Sequence, residues 1–259
     1  MSEVFSEYSN YYDLLYADKD YQREANHVAS KLREHRPGIR SVLEFGSGTG
    51  RHGRLLARAG FDVTGLERSA HMLAQAHAVA SREGPVSPGA FRSVEGDVRL
   101  SIVPGVFEAV VALFHVVSYQ AANDDVLAMF RNAARHLAPS GLFLFDVWYG
   151  PAVLTLRPET RVKRIANDEM RVTRISEPQL LAETNCVEVK FEVFIEDLTT
   201  GQIKRVQERH LMRYFTTPEI AWLAELTGFQ VVEAEEWLTR KAPSTSTWGV
   251  CYLLRRNAP

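Results

Sequence analysis

The chain has 259 residues, 46% hydrophobic and 24% charged, with a formal net charge of −2 at neutral pH. Such a length and balance support one large globular domain, or one domain with an elaboration, around a sizeable core. The near-zero charge excludes an extended nucleic-acid surface but leaves room for a local basic pocket around one phosphorylated ligand.

The opening M-S-E-V-F-S-E-Y-S-N is acidic and aromatic where a secretory signal is basic and then apolar. No apolar run approaches the ~18 residues that span a bilayer, so a soluble, cytoplasmic protein without membrane contacts is expected. A helical period runs from about Tyr21 to His35 and is closed by Pro37-Gly38. Ser41 to Phe45 reads as a buried strand, Gly53 to Arg58 as a helix, and Phe61 to Glu67 as a second strand. Ser69 caps a further helix through Met72, Leu73 and Ala76. Phe91–Glu95, Ala109–Phe114 and Gly141–Val147 read as strands, with a helix from Asp124 to Leu137 between the last two. This alternation predicts an α/β, Rossmann-like sheet, mostly parallel and wound on both faces. After Pro151 the period changes to two: Glu183–Glu196 and Gln202–Phe215 alternate apolar and polar residues around the turn Thr199-Thr200-Gly201. That is an antiparallel hairpin or small sheet, inserted rather than separable. A helix from Pro218 to Thr227 and strands Gln230–Trp237 and Thr247–Leu254 are expected to resume the parallel pattern and complete seven core strands. Cys186 and Cys251 lack metal-ligand or redox spacing and read as reduced packing residues; no metal is expected.

The first strand runs into V-L-E-F-G-S-G-T-G-R-H-G, which can be framed in two ways. From Gly48 it is G-x-G-x-x-G, the dinucleotide fingerprint, with Glu67 near the required ~20 residues further on. From Glu44 it is E-x-G-x-G-x-G. The dinucleotide frame wants its first glycine directly at the strand end, and Gly46 holds that place, with Arg51 where the third glycine belongs. A carboxylate at Glu44 is ill suited to a pyrophosphate and well suited to a cationic ligand, whose charge offsets its desolvation.

Glu44-Phe-Gly46-Ser-Gly48-Thr-Gly50, Glu67 and Gly96-Asp97-Val98 resemble the three cofactor motifs of class I S-adenosylmethionine-dependent methyltransferases. The resemblance implies that the glycines let the backbone approach the methionyl moiety, that Glu67 accepts both ribose hydroxyls, and that Asp97 meets the adenine amino group. Val98 then offers a backbone N–H, Met72 packs on the ring, and Arg68 and Phe114 line the same site. Tyr11-Tyr12-Asp13-Leu14-Leu15-Tyr16 through Asp20-Tyr21, with the later β insertion, is similar to the N,N-dimethyltransferases of nucleotide-linked amino sugars that make desosamine and mycaminose. By that resemblance Tyr21 touches the methionyl end and Tyr16 lies beside the acceptor nitrogen. The implied division is 1–150 for the N-terminal helix and cofactor core, 151–216 for the β insertion on the acceptor side, and 217–259 for the last helix and strands. The implied partner is a nucleotide sugar, met by a monomer or homodimer.

Phe114-His115-Val-Val-Ser-Tyr119 follows the fourth strand, where a doubly wound sheet opens its crevice, so His115 and Tyr119 are candidate catalytic residues. Asp146, Trp148 and Tyr149 end the fifth strand and offer a carboxylate and aromatic platforms. Arg240-Lys241 can meet a pyrophosphate. Methyl transfer to an amine needs alignment of nitrogen, methyl and departing sulfur more than strong base catalysis. The segment Phe114 to Tyr119 departs from the sugar enzymes, which carry smaller residues there. Methylation of another small molecule, through oxygen or a different amine, and a nucleotide-binding protein or dehydrogenase are the other readings.

Overall fold

A computed structural model describes residues 14–258. Asp20 accepts the Arg23 amide at 2.8 Å and starts α1 (Tyr21–His35), which packs over β1 (Ser41–Phe45). Gly50, in the left-handed region, leads directly into α2 (Arg51–Arg58), so this helix starts two residues earlier than its apolar period suggests. There follow β2 (Asp62–Glu67), α3 (Ala70–Glu83), β3 (Ala90–Glu95), β4 (Phe107–Ala112), α4 (Asn123–His136) and β5 (Leu137–Tyr149). Ser69 caps α3 by accepting the Met72 amide. A short α5 (Gly150–Leu156) opens the insertion β6 (Arg161–Ala166), β7 (Met170–Leu181), β8 (Cys186–Asp197) and β9 (Ile203–Phe215). Then α6 (Thr217–Leu226), capped by Thr216, leads to β10 (Phe229–Glu236) and β11 (Gly249–Arg256).

The core order is β3-β2-β1-β4-β5-β11-β10. Strands β1 to β5 pair in parallel, whereas β11 is antiparallel to both β5 and β10. The expectation that the parallel pattern resumes at the end of the chain is thus corrected for β11. The connection between the neighbouring strands β10 and β11, residues 237–248, contains no helix to carry the chain back across the sheet, so it returns in the opposite direction. One face of the sheet buries Leu43, Phe45, Phe143 and Phe145 under α4 and α6; the other buries Val42, Val63, Val111 and Leu144 under α1 and α2. Side chains alternate across a strand, so adjacent residues feed different layers.

The insertion is a four-stranded antiparallel sheet rather than one hairpin. Pro178, within β7, disguises that strand, because proline lacks the ladder N–H and argues against a strand in sequence. Trp148 and Tyr149 at the end of β5 pair in parallel with Tyr214 and Phe215 of β9, which makes the insertion a continuation of the core sheet. No helix among the described residues is long and apolar enough to cross a membrane.

Candidate active site at the carboxyl ends of the parallel strands

The carboxyl ends of β2, β1, β4 and β5 lie side by side along one edge of the sheet, where a doubly wound fold opens its ligand crevice. Gly46, Gly48 and Gly50 have φ of 67°, 56° and 80°, where a side chain strains the backbone. At Gly46 a β-carbon would also lie 2.6 Å from the Val116 side chain, so the β1–α2 loop lies tight against the turn after β4. Glu67 ties this loop to the start of α3: Oε2 accepts the Gly48 amide at 2.8 Å and Oε1 accepts the Ser69 amide at 2.7 Å. Burial raises the Glu67 pKa above the ordinary carboxylate value, and these amides restrain the rise.

Glu44 is buried one strand away, and its Oε2 has no hydrogen-bond partner among the described residues. Burial, reinforced by the charge of Glu67, pushes its pKa up to about 8. Asp97 is the opposite case. Arg99 grips it with Nε on Oδ1 at 2.9 Å and Nη2 on Oδ2 at 2.7 Å, with Arg68 at 3.7 Å. The Arg99 hydrogen bonds outweigh burial and lower the Asp97 pKa. Met72 is buried in a small apolar cluster with Leu15, Val172 and Val193.

Toward the N-terminal segment, Lys19 Nζ stands 4.4 Å from the Tyr21 ring centroid and 4.1 Å from that of Phe114. Buried Glu24 binds Lys19 and also His52 Nε2 at 2.7 Å. Burial opposes its ionisation, yet the His52 hydrogen bond and the Lys19 charge prevail and hold its pKa at about 2. Tyr16 packs edge-on against Phe114, centroids 5.1 Å apart, and its hydroxyl accepts Arg174 Nη1 at 3.0 Å.

After β4, Phe114 and His115 both have φ of 64°. Consecutive left-handed non-glycine residues cost about 1–3 kcal/mol each and persist only where surroundings enforce them. Asp146 does the enforcing: its Oδ2 accepts the His115 amide at 3.2 Å and sits 2.6 Å from His115 Nδ1. Ser118 Oγ accepts the Trp148 amide at 3.2 Å and stitches the same turn to β5. Tyr119 ends the segment, its hydroxyl 2.9 Å from His210 Nδ1 of the insertion.

A family model described as a methyltransferase domain matches residues 42–141. The dTDP-3-amino-3,6-dideoxy-alpha-D-glucopyranose N,N-dimethyltransferase of Streptomyces fradiae is 31% identical over 232 residues, covering 89% of this chain and 86% of that one. The chain belongs to the class I S-adenosylmethionine-dependent methyltransferases. A second relative, the dTDP-3-amino-3,4,6-trideoxy-alpha-D-glucopyranose N,N-dimethyltransferase of Streptomyces venezuelae, is 26% identical over 87% of this chain and 91% of its own. Among solved structures, Streptomyces venezuelae DesVI superposes with a TM-score of 0.77 at 25% identity, over 96% of this chain and 98% of that one. A methyltransferase from Clostridium acetobutylicum, 20% identical and covering 96% and 97%, gives 0.81 and shares the fold.

In this methyltransferase, most residues singled out by sequence converge on one crevice. Tyr16 and Tyr21 come from the N-terminal segment and the start of α1, Glu44 and the three glycines from the end of β1, Glu67 and Arg68 from the end of β2, Asp97 and Val98 from beyond β3, and Phe114, His115, Tyr119 and Asp146 from the ends of β4 and β5. Residues Tyr11 to Asp13 lie outside the described residues. Two placements differ from expectation. Trp148 lies with Asp146 on the His115 side, ring centroids 6.2 Å apart, but Tyr149 points the other way, its hydroxyl 3.5 Å from Thr217 Oγ1 near Tyr252. Alternation along β5 explains the split. Arg240 is pinned to Glu34 at 3.1 Å and Ser30 at 3.0 Å, at the far end of α1 from Tyr21, and exposed Lys241 follows it. Arg240, directed along the outer surface of α1, lies away from the strand ends. Sequence reasoning missed Lys19, Arg99, Arg174, Glu208 and His210. The last two carried a signal: polar residues at inward positions of an alternating strand. The one potential three-donor metal cluster among the described residues, His27, Glu235 and Cys251, lies beneath α1. Lys31 already supplies a cation there, binding Glu233 and Glu235.

Proposed function

We propose that this methyltransferase transfers methyl groups from S-adenosylmethionine to the amino group of a nucleotide-linked amino sugar. The observation that carries the reading is the similarity to a dTDP-amino-sugar N,N-dimethyltransferase over nine-tenths of this chain, insertion included. The residues fit such a cofactor on structural grounds. Glu44 presents a buried oxygen without a partner, which a cationic group would satisfy, and the left-handed glycine loop leaves its backbone open to close approach.

In this reading Gly46, Gly48 and Gly50 flank the methionyl moiety, with Tyr21 at its end and Glu44 beside its positive charge. Glu67 receives the ribose hydroxyls, its oxygens already oriented by the Gly48 and Ser69 amides. Asp97, Val98, Met72 and Arg68 surround the adenine. When bound, the cofactor supplies an electrophilic methyl on a sulfonium. The chain's own task is alignment: Phe114 and Tyr16 form the wall on the acceptor side, and the strained turn held by Asp146 fixes His115 at the strand end. Orientation of a neutral amine within ~3 Å of the methyl provides most of the acceleration. His115, backed by the Asp146 carboxylate, and Tyr119 are the side chains able to take the amine's proton.

The test is transfer of one or two methyl groups, followed by mass spectrometry, onto dTDP-3-amino-3,6-dideoxyglucose and a panel of dTDP-amino sugars. Methylation at nitrogen is expected. Tight cofactor binding with no transfer to any amino sugar would remove this reading in favour of another small-molecule acceptor.

A further inference from the structure

Strand β9 has the period of a half-buried strand: Arg205, Gln207, Arg209 and Leu211 are exposed, while Val206, Glu208, His210 and Met212 are buried. Two of the four inward positions are therefore polar and titratable. Burying such groups costs several kcal/mol unless they are partnered. His210, 2% exposed, and Glu208, 8% exposed, partner each other, His210 Nε2 lying 2.9 Å from Glu208 Oε2. The other imidazole nitrogen, Nδ1, lies 2.9 Å from the hydroxyl of Tyr119, which is 36% exposed. Polar groups therefore run in one line from the crevice into the core of the insertion.

Proton positions along this line follow from its ends. The Glu208 carboxylate accepts, so His210 carries its proton on Nε2 and Nδ1 is an acceptor. Tyr119 then donates its hydroxyl hydrogen to Nδ1 and offers its oxygen as an acceptor. Among the described residues, the groups packed on the line include Tyr16 from the N-terminal segment, Arg174 from β7 and the Phe191 ring from β8, the last at 4.6 Å from the His210 ring. Desolvation of the Tyr119 hydroxyl, with Tyr16 and Glu208 nearby, raises its pKa above the ordinary phenol value, so it works as a carrier between two sites and not as a standing phenolate.

Resting on the amino-sugar reading above, we infer that Tyr119, His210 and Glu208 form a proton relay that discharges the acceptor's ammonium into the insertion. The N–H proton passes to Tyr119 Oη as the Tyr119 proton moves to His210 Nδ1, leaving an imidazolium paired with Glu208. The neutral amine then forms its N–CH3 bond as the S–CH3 bond breaks, with the electron pair staying on sulfur. Tyr119 is the catalytic residue of this relay, whereas His210 and Glu208 act through it. His115 lies outside this line: Asp146 accepts its amide and stands 2.6 Å from its Nδ1, which fixes the turn that leads to Tyr119.

The experiment measures kcat and KM of the full chain from pH 6.5 to 9.5 with dTDP-3-amino-3,6-dideoxyglucose as probe, for the parent, Tyr119→Phe, His210→Gln and Glu208→Gln. At pH 7 each variant is expected to lose about 10² in kcat, the lower end for general base catalysis, with KM little changed. Above the amine's own pKa the probe arrives neutral, and the deficit should shrink to within about twofold. Damage to folding alone gives a deficit that stays constant with pH. Nitrogen-15 NMR of the imidazole supplies a second readout that needs no turnover, with His210 expected as the Nε2–H tautomer. Turnover by the parent with variant deficits that do not change with pH overturns the relay and leaves the amino-sugar reading standing, as does an Nδ1–H tautomer. No turnover of any amino sugar by the parent overturns that reading and the relay with it.

Discussion

At the scale of single residues, the two carboxylates of the proposed cofactor site behave differently because their surroundings do. Glu67 holds two amides, and Glu44 leaves an oxygen bare. Glu67→Ala is expected to weaken S-adenosylmethionine binding by about 2–3 kcal/mol, the worth of two hydrogen bonds to a charged group, read by calorimetry. An unchanged Kd would remove Glu67 from the ribose. Asp97→Ala should cost less, because the Asp97 carboxylate already spends its charge on Arg99. Glu44 makes a pH prediction. Its folded pKa, about 8, lies above the unfolded value of 4.5, so the folded state holds the proton more tightly. Stability from this group is complete below pH 4.5 and is lost as pH rises through 8. The Tm of the parent should therefore fall relative to Glu44→Gln between pH 5 and 8, and bound S-adenosylmethionine should shrink the difference by favouring the anion. Parallel Tm curves for the two chains would show Glu44 already ionised in the free protein. The places of Glu44, Glu67 and Asp97 at or beside strand ends were legible in sequence because the glycine turns and apolar runs mark where β1, β2 and β3 stop. Arg99 and Lys19 were not, since nothing in their immediate sequence shows which carboxylate they meet.

At the scale of elements, helices and core strands were legible where period and punctuation agreed: Ser69 as a cap, Pro37-Gly38 as a stop. Strands β6 and β7 were missed because β6 is short and strongly basic while β7 contains Pro178, and their pairing is decided by partners distant in sequence. The same limitation hid the seam between α1 and β10, where Lys31, 2% exposed, binds Glu233 and Glu235 while His27 meets Glu235 at 2.7 Å. Burial lowers the affinity of Lys31 for its proton, but the two carboxylates overcome this and raise its pKa. Removing one member of a buried ionic cluster strands the others. Lys31→Ala is expected to destabilise the protein by about 3–5 kcal/mol, measured by denaturant unfolding. A loss below about 1 kcal/mol would mean that water reaches the two glutamates once the lysine is gone. Lys31→Met in the same assay separates lost packing from lost charge.

At the scale of the whole molecule, the crevice belongs to no single stretch of the chain. Tyr16 from the N-terminal segment touches Phe114 of the core and Arg174 of the insertion, Tyr119 reaches His210, and the end of β5, still paired with β11, also pairs with β9. Core strands β10 and β11 come from sequence beyond the insertion, so the sheet cannot be completed until the insertion has been made. From these joints we expect core and insertion to unfold together in one cooperative transition, although the change of period near Pro151 first marks them as different. Cofactor binding makes this testable. S-adenosylhomocysteine at ~100 times its Kd adds about 2.7 kcal/mol of stability to whatever unit unfolds with the site. For a domain of this size that raises Tm by roughly 5–10 °C. Hydrogen exchange of amides in β8 and β9, which no cofactor motif touches, should slow along with that of β1 and β4 if the two sheets form one unit. If β1 and β4 slow while β8 and β9 do not, the insertion opens on its own and the β5–β9 pairing is too weak to couple acceptor side to cofactor side.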